Sequence, residues 1–69
     1  MKINYCGAKM QRDMISRGWQ LKLQKEHETN EQFYERLSQS YNKVKIYYVT
    51  TSVRGFYNYI AFVKDRRES

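Results

Sequence analysis

Three tyrosines in the last third of the sequence, Tyr47, Tyr57 and Tyr59, have the types and spacing to do chemistry, since they sit in two runs rich in β-branched and aromatic residues. Displayed together on one face of a sheet, such rings make a flat platform. A nucleobase stacked on one of them gains about 1–3 kcal/mol. Lys45 and Lys64 border the same runs, Arg54 lies between them, and the chain carries a net charge of +6. Positive charge beside exposed aromatics is one way a sheet holds single-stranded nucleic acid. The structural alternative is that tyrosine simply forms strands well, with cross-strand aromatic pairs stabilising a hairpin by up to about 1 kcal/mol. Arg54 reads two ways as well: a basic hairpin tip suited to a groove or a backbone phosphate, or an ordinary polar loop residue.

Other candidate chemistries fall away. His27 stands between Glu26 and Glu28 in a polar stretch, with neither a partner group nor a pocket to make it a general base. Cys6 is the single cysteine and reads as a small core residue, with no histidine nearby to activate it. Glycines 7, 18 and 55 are scattered, so no phosphate-cradling loop exists. Glu26, Glu28, Glu31 and Glu35 form an acidic block without the spacing or glycine of a calcium loop. The expectation is a binding protein with no catalytic residues, no cofactor and no metal site.

A chain of 69 residues has room for one core. Chains this short bury roughly 60% of the surface they expose when unfolded, which leaves stability marginal. One cysteine and one histidine supply neither a disulfide nor a zinc cluster to compensate. A lone thiol fits a reducing compartment. The longest apolar-leaning run, Val44 to Val53, contains Lys45, Thr50, Thr51 and Ser52, far short of the ~20 apolar residues of a membrane span. The expected setting is therefore cytoplasmic, with no membrane partner.

The elements that must position these residues follow from periodicity. Cys6, Met10 and Met14 recur every four residues, with Ile15 beside them, and predict a short helix within 3–17 that Gly18 ends; residues 2–5 also fit a short strand. Trp19 to Gln24 alternates apolar and polar, predicting a strand with Trp19, Leu21 and Leu23 facing the core. Thr29 with Gln32 makes a capping box for a second helix, whose apolar stripe is Phe33, Leu37 and Tyr41, with Asn42 as its stop. Val44–Thr51 and Phe56–Lys64 predict an antiparallel hairpin.

Hairpin register decides the face each tyrosine occupies. A two-residue loop at Val53-Arg54 would set Tyr48 opposite Tyr59; a three-residue loop with Gly55 at the left-handed position would set Tyr48 opposite Ile60. The second is preferred, because β-branched Val53 resists the positive φ of a primed turn. It places Val44, Ile46, Tyr48, Ile60 and Phe62 on the core face, and Tyr47, Val49, Tyr57, Tyr59 and Val63 on the open one. The fold expected is α+β, in the order α-β-α-β-β: a small two-layer sandwich with a three-stranded, mainly antiparallel sheet and both helices on one face. Residues 1–64 form the domain, and 65–69 a short charged tail.

The small, proline-free, basic and tyrosine-rich build resembles accessory proteins of bacteriophages and other mobile elements in composition alone. That likeness implies a nucleic-acid ligand or a host protein partner, and carries over no functional residue. Two functions follow. In the leading one the chain binds nucleic acid through Tyr47, Tyr57 and Tyr59, with Lys45, Arg54 and Lys64 at the rim. In the alternative the same face is a protein–protein interface, in a homodimer or against another protein, since tyrosine and arginine dominate binding hot spots.

Overall fold

The computed structural model describes the backbone of residues 3–53 and 57–67, with side chains at 3–49 and 59–67. In chain order the elements are strand β1 (Asn4–Tyr5), helix α1 (Ala8–Ser16), strand β2 (Gln20–Leu23), helix α2 (Asn30–Ser38), and two longer strands, β3 (Tyr41–Val53) and β4 (Tyr57–Arg66). The strands form one four-stranded sheet in the order β1-β3-β4-β2. β1 runs parallel to β3, while β4 is antiparallel to both β3 and β2. The α+β class is as expected. The three-stranded sheet is not, because Asn4–Tyr5 takes the strand alternative and adds a parallel edge.

The helices lie on opposite faces of the sheet, not on one. Cys6, Met10 and Met14 from the α1 side pack with Tyr47, Val49, Ile60 and Phe62, whereas Phe33 and Leu37 of α2 pack with Ile46, Ala61 and Val63. Topology explains this. The chain crosses from β1 to the far edge at β2 through α1, then returns to β3 through α2. Crossovers between parallel strands are right-handed, so two that run in opposite directions must use opposite faces. The result is three layers, with β4 sealed on both sides: Ile60, Ala61, Phe62 and Val63 are each no more than 2% exposed.

The hairpin register also differs from the preferred one. Tyr48 pairs with Tyr59 and Tyr47 with Ile60, while nearer the turn Val53 pairs with Tyr57. Between those pairs β3 has four residues and β4 has one, so a register shift separates the turn from the body of the hairpin. Turn chemistry therefore does not propagate along the strands. Packing of the two faces sets the register instead.

Local signals agree better with the sequence. Thr29 caps α2 through a complete capping box: its Oγ1 accepts from the Gln32 N–H at 3.1 Å, and Gln32 Oε1 accepts from the Thr29 N–H at 3.1 Å. Helix α2 stops at Ser38, however, and Tyr41 opens β3 instead of extending the helical stripe. Strand β2 directs Leu21 and Leu23 toward the α1 side opposite Phe62 and Ile60, yet both stay more than a third exposed because β2 is an edge strand. The charged tail starts later than residue 65, since β4 continues through Arg66 and the Arg67 N–H donates to the Ser40 carbonyl at 2.7 Å.

Sealing β4 on both faces makes each face essential. Phe33→Ala under α2 and Phe62→Ala under α1 should each cost about 3–5 kcal/mol, comparable to the whole stability of so short a domain. Urea unfolding followed by circular dichroism should show both variants largely unfolded. A fold with one open face would tolerate one of the two.

Candidate nucleic-acid interface

The structure does not bring Tyr47, Tyr57 and Tyr59 together on an open face. Tyr47 is buried on the α1 side, its ring edge-on to Phe62 at 6.0 Å between centroids. Burial holds its hydroxyl above the usual tyrosine range. Tyr59 packs on the opposite side with the α2 cluster and is half-buried. The Tyr57 side chain and Arg54 lie outside the described residues. Among the described residues the exposed sheet tyrosines are Tyr5 at 48% and Tyr48 at 41%, both on the α2 side, with ring centroids 5.4 Å apart, and Tyr34 on α2 is exposed as well. Tyr5, Tyr48 and Tyr59 are register partners across three adjacent strands, so they form one row.

Lys45 and Lys64 do come together, around a residue the sequence reading used only as core. Trp19 is half-buried on the α1 side. Lys45 Nζ lies 5.3 Å from its ring centroid and Lys64 Nζ 5.6 Å. Each such contact contributes roughly 0.5–1 kcal/mol at an exposed site. Lys43, the register partner of Lys64, extends the group along β3. Alternation puts Lys43 and Lys45 on one face, but Lys64 joins them only in the register with Tyr48 opposite Tyr59; the register preferred from the turn residues sends it to the other face. The missing signal was Trp19, whose strand sits on the far side of β4.

A helix end builds this arrangement. The C-terminus of α1 closes with Gly18 at φ +94°, the Gly18 N–H donating to the Ile15 carbonyl and the Trp19 N–H to the Met14 carbonyl, at 3.0 and 3.1 Å. This pair of bonds is a Schellman cap, in which the left-handed residue turns the chain sharply away from the helix. Here it swings Trp19 over the sheet. The Arg17 carbonyl, at the negative end of the helix dipole, accepts from Lys64 Nζ at 3.1 Å. Lys64 is thus held between a carbonyl and an indole. Among the described residues only Asp65 pairs with one of these lysines, meeting Lys43 at 3.4 Å.

The remaining titratable groups are occupied otherwise. Cys6 is buried, and desolvation pushes its thiol above the ordinary range, away from a nucleophilic thiolate. His27 is exposed, in a turn with φ +64°. Glu28 leaves the acidic block: Arg36 grips its carboxylate from Nε at 2.8 Å and Nη2 at 3.2 Å, and the Lys25 N–H donates to it at 2.9 Å. These bonds, the Arg36 contact foremost, hold the Glu28 carboxyl below its usual range. Among the described residues no three His, Cys, Asp or Glu side chains are grouped to hold a metal ion, and no helix is long and apolar enough to cross a membrane.

Comparison with protein-family models, with curated proteins and with solved structures finds no match to this chain.

Two outcomes follow from this geometry. Gly18→Ala should destabilise the fold by about 1–2 kcal/mol because of its φ and not through a clash, since a Cβ there meets only Lys64 Cε at 3.8 Å. Thermal melts of the variant measure the loss, and a changed Trp19 emission shows the displaced ring. For Glu28, the lowered folded pKa means that the ionised form favours the fold. Its contribution is complete above the ordinary carboxylate range and disappears as pH falls through the folded value. Acid unfolding of Glu28→Gln should accordingly show a shallower loss of stability below about pH 4.5 than the parent protein.

Proposed function

We propose that this chain is a non-enzymatic basic binding module whose ligand is nucleic acid, held by its phosphate backbone on Lys43, Lys45 and Lys64. One observation carries the reading: two lysines from adjacent strands converge on a single tryptophan, Lys43 pairs with one of them across the strands, and among the described residues one carboxylate is in ion-pair contact with the group. Concentrating like charge is unfavourable for the isolated fold, and a polyanion relieves it. The net charge of +6 adds long-range attraction of the same sign. The tyrosine platform is replaced in this reading by the Trp19 patch. Among the described residues no lysine or arginine lies over Tyr5, Tyr48 or Tyr59, whereas two lie over Trp19.

A second reading rests on a different surface. The Tyr5–Tyr48 pair on the α2 side is exposed and leaves aromatic area uncovered on a small protein. That favours a protein partner, in a homodimer or with another chain, without any role for the lysines.

Salt dependence separates the two. For three phosphate contacts on duplex DNA, affinity should fall about 40-fold between roughly 50 and 200 mM salt, by counterion release. In Lys45→Gln/Lys64→Gln the same interval should cost only about 3- to 4-fold. Lys22→Gln, on the other side of the sheet, should keep the parent slope. Fluorescence anisotropy with labelled DNA and RNA reads all three. A double variant with unchanged slope removes the phosphate reading, and absence of binding at low salt leaves the protein-partner reading.

A further inference from the structure

Strand β1 pairs only with Tyr47 and Tyr48, so on the edge of β3 away from β4 no strand among the described residues pairs with Asn42–Ile46. An open groove of about 380 Å³ occupies that notch, lined by Trp19, Tyr34, Asn42, Lys43, Val44 and Lys45. Its size falls within the roughly 300–1,000 Å³ typical of small-ligand sites. The groove draws on both faces of the sheet, since Trp19 packs on the α1 side and Tyr34 belongs to α2. The edge also offers backbone groups. The Cys6 N–H donates to the Tyr48 carbonyl at 2.9 Å, so Tyr48 aims its backbone toward β1. Strand alternation with an unbroken register aims that of Val44 the same way, into the groove.

We propose that this groove takes one unpaired nucleobase, with the adjoining phosphate on Lys43 and Lys45, so that the ligand is single-stranded nucleic acid. The inference rests on the phosphate-binding reading above and narrows it. Each part of a nucleotide finds its chemistry here: aromatic rings for the π-face, the Asn42 amide and Val44 backbone for the base edge, and two ammonium groups for phosphate. A duplex cannot use the site, because its bases are stacked and paired and show no face to an aromatic ring. In the free protein Lys45 covers the Trp19 ring. A base stacking on the indole displaces that ammonium toward the incoming phosphate, so the two contacts form together. Among the described residues the Asp65 carboxylate, 3.4 Å from Lys43 Nζ, is the one anion in ion-pair contact with a lysine of the groove, and it must yield its partner.

Trp19 is the only tryptophan in the chain, so its emission reports on the groove directly. The test titrates the full chain with a single-stranded oligonucleotide, the same strand with abasic sites throughout, a duplex of equal length, and a mononucleotide. The normal strand should quench Trp19 and bind about 5- to 150-fold more tightly than the abasic one, the range expected for one stacked base. Tyr34→Ala, an exposed position on α2, should reduce that difference, since the second ring of the groove is lost while Trp19 remains. Equal binding of normal and abasic strands overturns the base site and leaves the phosphate reading standing. Absence of binding by every probe overturns both. Mononucleotide binding as tight as that of the strand overturns the single-strand assignment in favour of a free nucleotide.

Discussion

Burial of β4 on both faces is the constraint from which the rest of this structure follows. Ile60, Phe62, Ala61 and Val63 alternate between two helix-covered clusters, and the larger of them gain roughly 1.5–3 kcal/mol each by leaving water. A domain of 69 residues can enclose two such clusters only by making the sheet serve both. Each strand beside β4 then has its side chains sorted by register. Tyr47 falls opposite Ile60 and goes inside, while its neighbour Tyr48 falls opposite Tyr59 and stays at the surface. Which aromatic rings remain available for binding is therefore a consequence of core packing.

Much of the local structure was legible in the sequence. The capping box at Thr29, the glycine stop at Gly18 and the hairpin all have short-range causes that a linear pattern displays. Layering was not read correctly, although a signal existed. Ile60-Ala61-Phe62-Val63 is a continuous apolar run, the mark of a strand covered on both sides, and an alternating pattern would have marked one open face. The register failed for a related reason. Turn preferences at Val53 and Gly55 act over a few residues, and the shift between Tyr48 and Val53 disconnects them from the central pairs. Of the proposed site residues, Lys45 and Lys64 share a face only in the register with Tyr48 opposite Tyr59, which the turn residues alone do not favour. Trp19 could not be placed beside them, because its approach to Lys45 spans β4 and depends on the sheet order.

The position of Trp19 also separates this patch from an ordinary basic surface. Isolated surface lysines are mobile, and ordering one costs side-chain entropy that a single phosphate contact barely offsets. Lys64 is already restrained by the Arg17 carbonyl and the indole. Part of the ordering has thus been done during folding, and binding to a preorganised group loses less. The restraint comes from rigid parts: two paired strands and a helix end fixed by its Schellman bonds.

The two aromatic surfaces of the molecule cannot serve one flat-lying ligand, because Tyr5 and Tyr48 lie on the α2 side and Trp19 on the α1 side. Only at an edge can a ligand reach both sides of a sheet. The described edges are unequal in this respect. Along β2 the apolar Leu21 and Leu23 are exposed, and Lys22 between them is drawn back over the Tyr41 ring. Along β3 the groove has Trp19 with Lys43 and Lys45 on the α1 side and Tyr34 of α2 on the other. A flexible polyanion with planar side groups fits that combination, as a folded apolar surface does not. The aromatic neighbour of the lysine patch at this edge is Tyr34, which α2 supplies from the opposite face.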